Sequence, residues 1–319
     1  MTSVYGHVLV TGGAGFIGSR LVRRLLPEAE RITVIDDMTT GSRGALPEAA
    51  NLRLIERSYV DDQLLDEVLP EVDTVFHLAC RNIVMSASHM DDDFHVNLYG
   101  GYKLLHKVLE HARNLRRLVY TSTASVYGNA PVLPTPESWY DTALPYSASK
   151  LSMEHYCQVF HRMYGLPVTV LRLSNVYGPG QVTSNPYCGV VSRFFEAIRQ
   201  GVPMTIFGDG KQTRDFTFIE DALDAITLAA IHPEAPGKVF NVGTGIETSV
   251  NELAELIAAV GGQRNHPKIH VAKRPIDVVQ RRCLDASHLR RTLGWKVKVD
   301  LAEGLRRTYE WLQEEGRSG

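Results

Sequence analysis

The sequence is short of cysteine, of long apolar runs and of any surplus of one charge. Four cysteines, Cys80, Cys157, Cys188 and Cys283, stand among 319 residues, with no C-x-x-C pair. A chain of this length builds a core without disulfides, so reduced thiols and a cytoplasmic location are expected. No apolar stretch approaches the ~20 residues of a spanning helix. The first apolar run, Val8-Leu9-Val10, stops at Thr11-Gly12-Gly13, so neither a membrane span nor a signal peptide is expected. Thirty-four Lys and Arg against 36 Asp and Glu give a net charge of -2. That balance argues against a polyelectrolyte partner, and no nucleic acid is expected. Internal repeats and low-complexity linkers are missing as well.

What is present is ordinary globular material, 44% hydrophobic and 22% charged, which excludes wholesale disorder. At ~150 residues per domain the length suggests about two. Val8–Val10, Arg31–Asp36, Thr74–Leu78, Arg117–Thr121 and Val168–Leu173 read as strands. Gly18–Leu26, Asn97–Ala112 and Tyr146–Tyr164 read as helices between them. This alternation predicts an α/β fold whose parallel sheet is covered by helices on both faces. After Asn175 a loop-rich stretch opens with Tyr177-Gly178-Pro179-Gly180. A helix at Val190–Gln200, strands at Met204 and Lys238–Val242 and a helix at Val250–Val260 follow. The expected division is residues 1–173 and 174–319, with roughly 213–246 returning to the first part and the ligand held between the two.

Gly12, Gly15 and Gly18 fall as G-x-x-G-x-x-G after the first strand and at the start of the first helix. In a dinucleotide site the first glycine allows the tight turn and the second lets a pyrophosphate approach. The third brings helix and strand together, and the N–H groups at the helix end face the phosphates. Asp36, with Asp37 beside it, ends the next strand. A carboxylate there accepts from the ribose hydroxyls and repels a 2′-phosphate, which favours NAD over NADP. The first part is therefore expected to be a Rossmann-type doubly wound sheet, and the second a smaller, mixed α/β substrate-binding subdomain. Asp36 as a plain turn-starting residue is the competing reading, and Arg43 nearby is a possible partner for a 2′-phosphate.

Tyr146 and Lys150 form Y-x-x-x-K, a spacing that puts both on one helix face. A free phenol titrates near ~10, too high for a base at neutral pH. A neighbouring ammonium favours the phenolate, which is how such a pair becomes a general base. Thr121-Ser122-Thr123 closes a strand, and active sites in such sheets lie at strand carboxyl ends.

Six motifs appear in order: T-G-G-A-G-F-I-G from Thr11, H-L-A from His77, S-T-A-S-V-Y-G from Ser122, Y-S-A-S-K from Tyr146, R-L-S-N-V-Y-G-P-G from Arg172 and R-D-F-T-F-I-E-D from Arg214. Together they resemble the extended short-chain dehydrogenase/reductase family, in its nucleotide-sugar epimerase/dehydratase group. The resemblance implies Tyr146 as acid/base, Lys150 binding the nicotinamide ribose, and Thr123 bonded to the reacting hydroxyl. Toward NAD it implies Gly12, Gly15, Phe16, Ile17, Gly18, Asp36, Asp37, Ser58, Tyr59, Leu78, Ala79, Asn97 and Thr121, with Tyr146 and Lys150. Toward the substrate it implies Ser86, Thr123, Asn175, Arg193, Phe207, Arg214, Arg274 and Asp277, with Arg214 as diphosphate clamp. Phe207 reads either as a base-stacking residue or as core.

Relatives that eliminate water carry acids directly after this Thr; here Ala124 and Ser125 follow. The resemblance therefore implies C4 epimerisation of a nucleotide-diphosphate sugar, with UDP favoured, through a 4-keto intermediate and in a homodimer. A 5,6-dehydratase, a 3- or 5-epimerase, or a uronate or heptose nucleotide epimerase are the alternatives. A non-catalytic NAD-binding regulator is the reading from another class. Three stretches depart from the family pattern. Ser58 stands where relatives place an acid against adenine, and Ala87 where they place a phosphate-contacting Ser, leaving Ser86 or Ser88 to serve. The segment 273–282 runs one residue long before Asp285 and carries Lys273, Arg274, Arg281 and Arg282. It reads either as a solvated basic turn or as a pocket for the diphosphate and a further anion such as a sugar carboxylate. None of the twelve histidines falls in H-E-x-x-H or a Cys/His grid, so no metal is expected.

Overall fold

Runs such as His7–Thr11 and Val168–Leu173, buried at every position, have no solvent face, and a strand of that kind is stable only inside a sheet covered on both sides. The structure, a computed structural model, describes residues 3–183, 185 and 187–318. Its strands are β1 (His7–Thr11), β2 (Arg31–Ile35), β3 (Leu52–Ile55), β4 (Thr74–His77), β5 (Arg117–Thr123), β6 (Val168–Leu173), β7 (Asn175–Tyr177), β8 (Met204–Phe207), β9 (Thr213–Arg214), β10 (Phe216–Phe218), β11 (Val239–Val242), β12 (Thr248–Ser249) and β13 (Lys268–Val271).

Seven of these form one sheet in the order β11-β6-β5-β4-β1-β2-β3, and each adjacent pair is parallel. This is the expected Rossmann-type doubly wound sheet. Strand order reverses beside β1, so the chain leaves β1 and β4 in opposite directions and opens a crevice at their carboxyl ends. Two apolar clusters pack the sheet. One runs from Val8, Val10 and Leu21 through Phe194, Phe240 and Leu305, and the other gathers Leu9, Leu65, Leu104, Met153 and Phe160.

The remaining strands make two-stranded pairs: β7 with β10, β8 with β13, and β9 with β12. β11 lies far along the chain but pairs with β6, with Val239 opposite Val170 and Val242 opposite Leu173. The helix read from Asn97 begins earlier, as a π-helical segment Phe94–Gly100 that continues into Gly101–His111.

The helix Pro145–Tyr164 starts with Pro145 in its first turn and ends on Gly165 at φ 70°. Its seat is fixed by a buried ion pair. Glu154 accepts from Arg172 Nε at 3.0 Å and Nη2 at 2.7 Å, with side chains only 2% and 5% exposed. Ser122 also donates to Glu154, and Arg172 reaches Tyr127 Oη at 3.0 Å and Glu137 O at 2.8 Å. The pair thus joins this helix to β5 and β6. Removing one partner would strand a buried charge, so Glu154→Ala is expected to cost about 3–5 kcal/mol. Urea denaturation of the variant reads that loss, and the double variant Glu154→Ala/Arg172→Met should recover part of it.

His77 ends β4 beneath the crevice, with Nδ1 2.7 Å from Thr11 Oγ1 and its ring against Tyr59 and Tyr120. Burial, helped by the Lys150 charge, pushes its pKa down to about 3. The folded ring stays neutral while the unfolded imidazole protonates near ~6.5. Above that pH the group costs nothing. As pH falls from about 6.5 toward about 3, the unfolded state holds the extra proton and stability drops by about 1.4 kcal/mol per unit. His77→Gln should flatten the stability–pH slope between pH 6.5 and 5 by about that amount, measured as unfolding free energy against pH.

Candidate active site

The loop after β1 is shaped by its glycines. Gly12 has φ +72°, and a Cβ there would lie 2.6 Å from Ala79 N; at Gly18 one would lie 2.2 Å from Gly12 O. Both contacts forbid a side chain, so the loop sits against the end of β4 and the helix Phe16–Leu25 closes onto it. At Gly15 a Cβ would meet nothing nearer than Gly12 O at 3.4 Å, so packing alone does not require glycine. Gly15 lines the crevice, and the demand for a bare backbone comes from that side.

Asp36 follows β2 and is 8% exposed. Its carboxylate accepts from Ala14 N–H and Met38 N–H, each at 2.9 Å. Burial raises its pKa, opposed by those two donors. Asp37 pairs with Arg81 Nη1 at 2.8 Å, and Arg81 Nε reaches Asp92 at 2.5 Å. Arg43 is engaged by Glu56 at 2.7 Å. Gly12, Gly15, Phe16, Ile17, Gly18, Asp36, Asp37, Ser58, Tyr59, Leu78, Ala79, Thr121, Tyr146 and Lys150 all line one cleft of about 920 Å³. Asn97 lies behind that wall instead. Its Oδ1 accepts from Arg81 N–H at 2.7 Å and its Nδ2 donates to Arg81 O at 3.0 Å, so it positions the Arg81 backbone rather than facing the cleft.

Tyr146 and Lys150 leave the first turns of their helix toward the end of β5. Lys150 is 2% exposed. Its Nζ donates to Thr121 O at 2.7 Å and stands 4.5 Å from the centre of the Tyr120 ring. Burial lowers its pKa. Thr123 Oγ1 accepts from Ser125 N–H at 3.1 Å, which leaves its own proton for the Tyr146 phenol. The Cys80 thiol is the phenol's other partner. Burial pushes the phenol well above its ordinary range, Cys80 adds to the rise, and the Thr123 hydrogen bond works against it. The Lys150 ammonium donates to Thr121 O and faces the Tyr120 ring, and burial is the largest influence on the phenol.

A second cavity of about 300 Å³ adjoins the first and shares Thr123, Tyr146 and Asn175 with it. Ala124, Ser125, Arg214, Arg274, Asp277 and Arg282 complete much of its wall. Arg214 donates to Thr213 O at 2.7 Å and Val279 O at 3.1 Å, and burial lowers its pKa. Arg274 grips Asp277 through Nε at 2.9 Å and Nη2 at 2.8 Å. Its guanidinium lies over the Phe207 ring at 4.5 Å, so Phe207 supports Arg274 and is not in either lining. Ser86 is a second correction. It is fully buried, and its hydroxyl donates to Asp93 at 2.5 Å, away from both cavities. Arg193 is exposed on the helix Val190–Gln200, with Nε 3.4 Å from Cys188 O, and also lies outside both linings. Among the cavity residues, Arg282 belongs to the basic segment whose two readings the sequence left open, whereas nothing in the sequence around Cys80 marked it.

Among the described residues no group of three His, Cys, Asp or Glu is placed to hold a metal ion, and no helix is long and apolar enough to cross a membrane. The model of the NAD dependent epimerase/dehydratase family matches residues 8–243. A UDP-glucose 4-epimerase from Mycolicibacterium smegmatis is 38% identical, covering 98% of this chain and 100% of its own. The crystal structure of UDP-glucose 4-epimerase with UDP-glucose from Thermotoga maritima has a TM-score of 0.90 at 35% identity, covering 97% of this chain and 99% of that one. A dTDP-glucose 4,6-dehydratase from Streptomyces venezuelae, with NAD bound, also reaches 0.90, at 30% identity and 98% of each chain.

The glycine cradle, the buried acid after β2 and the lining of the larger cleft fit NAD, the cofactor of this family. Asp36→Ala removes the carboxylate that lines the cleft after β2 and should weaken NADH binding about 10-fold to 100-fold, in line with a hydrogen bond to a charged group. It should also narrow the preference over NADPH; fluorescence titration with each nucleotide measures both.

Proposed function

Because the chain belongs to the NAD-dependent epimerase/dehydratase family, we infer that it inverts C4 of a nucleoside-diphosphate sugar, with UDP as the preferred nucleotide, through a transient 4-keto sugar. The observation that carries this reading is the wall beyond Thr123. Ala124 and Ser125 supply no carboxylate to the sugar cavity, and Asp277 is held by two bonds from Arg274. Elimination of water needs an additional acid and base beside C5 and C6, whereas oxidation and return at C4 needs one group to move the O4 proton.

Tyr146 is that group. Its phenolate removes the O4 proton as the keto sugar forms, and its phenol gives the proton back once the sugar has presented its other face. Thr123 holds O4 and, by donating to Tyr146, stabilises the phenolate. Bound NAD supplies the two-electron acceptor for C4 and a positive ring that favours the ionised phenol. Lys150, anchored on Thr121 O, binds the nicotinamide ribose. Arg214 and Arg274 hold the diphosphate, and Asn175 lies at the junction of the two cavities. Ser58, Tyr59, Leu78 and Ala79 border the adenine and nicotinamide ends of the cleft.

Residues 1–173, with roughly 213–246, form the dinucleotide half, and the rest of 174–319 forms the sugar half. We take the working unit to be a cytoplasmic homodimer. Support for the dimer comes from Tyr99, Tyr102, Tyr156 and Met163, all exposed on the two neighbouring helical stretches 94–111 and 145–164.

Tyr146→Phe is expected to lower kcat for C4 inversion by about 10²–10⁴-fold, the usual contribution of a positioned acid/base group. NMR of the product formed in D2O provides the readout. Inversion at C4 without deuterium at C3 or C5 is the expected result. Deuterium at either carbon would assign enolisation chemistry instead, and a fully active Phe variant would remove Tyr146 from the reaction.

A further inference from the structure

The arginines near the cavities differ in what holds them. Buried Arg172 lies on Glu154, half-buried Arg81 on Asp37 and Asp92, and exposed Arg274 on Asp277, while half-buried Arg214 bonds the carbonyls of Thr213 and Val279. Arg281, the exposed neighbour in the basic segment, is held by Glu247. Arg282 differs from these. It is 9% exposed, its Nε has no hydrogen-bond partner, and no carboxylate among the described residues pairs with it. It nevertheless opens on the sugar cavity together with Tyr146, Thr123 and Arg214.

A guanidinium held out of water without an anion is expensive, and the surrounding fold does not relieve it. Burial and the Arg214 charge push its pKa down to about 9, with Tyr146 acting the other way. Its electrostatic neighbours also place it. Arg214 marks the diphosphate side and Tyr146 the reacting carbon, so Arg282 faces the sugar between them. The diphosphate already has Arg214 and Arg274, and the acid in this wall, Asp277, is committed to Arg274. A neutral hexose would meet Arg282 with hydroxyls alone and leave its charge unpaired.

Given that Tyr146 faces C4, as in the function inferred above, we propose that the substrate is a nucleotide-linked sugar bearing a carboxylate next to C4, and that Arg282 pairs with that carboxylate. Two positions satisfy this chemistry: the C6 carboxylate of a hexuronate, attached through C5, and an acid carried as an ether on C3. Arg282 is then a specificity-determining residue. The planar fork matters as well as the charge, because two parallel N–H bonds fit a carboxylate.

The test compares kcat/KM of the NAD-loaded enzyme for UDP-glucose, UDP-glucuronate and UDP-N-acetylmuramate. The expected result is a preference of at least about 100-fold for one acidic sugar over UDP-glucose, toward the low end of what losing one partner of a buried charge pair costs. Preference for the glucuronate assigns the C6 position, and preference for the muramate assigns C3. Arg282→Met should reduce that ratio by about 100-fold, and Arg282→Lys, which keeps the charge but loses the fork, by about 10-fold. A wild-type enzyme that favours UDP-glucose, or variants whose ratio does not move, would overturn the proposal while leaving C4 epimerisation intact. Calorimetry of the same sugars on the Tyr146→Phe enzyme, with and without the Arg282 changes, decides the point without turnover. If no sugar is inverted but the acidic one binds tighter in an Arg282-dependent way, the C4 reaction is the part that fails. If binding shows no such dependence, the carboxylate assignment fails as well.

Discussion

The ion pair between Glu154 and Arg172 is the contact on which the catalytic geometry depends. Glu154 lies one helical turn beyond Lys150, Arg172 is on β6, and Ser122, the third member, precedes Thr123 on β5. A helix packed on a sheet by apolar contacts alone can slide or rotate by small amounts at little cost. A bidentate guanidinium–carboxylate contact with its remaining bonds satisfied fixes both rotation and register. Tyr146 and Lys150 can therefore be held against Thr123 and Thr121 to hydrogen-bond precision, although the residues come from separate elements.

Around that anchor the charge is segregated, although the sequence total is close to neutral. Acids gather where β2 ends, and Arg81 bridges Asp37 and Asp92 to brace that corner. Arginines gather on the opposite side, where Arg214, Arg274 and Arg282 share one cavity wall. The line from the corner after β2 to the arginine wall thus runs from an acidic end to a basic end, with the half-buried phenol between them. The phenol is high in its unliganded surroundings because desolvation outweighs its one favourable hydrogen bond.

Much of this was legible in the sequence, and for physical reasons. The glycine spacing, the acid after the second strand and the Y-x-x-x-K pair are local patterns, since each needs a particular residue at a particular offset. The core strands were legible because they are continuous apolar runs. What escaped were relations set by tertiary packing. Ser86 and Asn97 read as ligand contacts but turn inward to Asp93 and to Arg81, because a polar side chain in a short helical segment has two faces available and only packing selects one. Phe207 was open between base and core, and it lies beneath the Arg274 guanidinium. Arg193 sits exposed near the rim of the larger cleft, bonded to Cys188 O, and charge alone did not say whether it lines the wall. Cys80 could not be recognised as a neighbour of Tyr146, since the two meet only where the ends of β4 and β5 converge. Short strands such as β7, β9 and β12 carry too few residues for periodicity to register.

The position of β11 sets how this chain can be assembled. The edge of β6 is completed by Val239–Val242, a segment made only after more than sixty further residues have followed β6. Until then β6 presents a row of unpaired N–H and C=O groups, the kind of edge that recruits other chains. The seven-stranded sheet is therefore not complete at the end of β6. A parallel pairing made across so long a separation raises contact order, a topology that folds slowly.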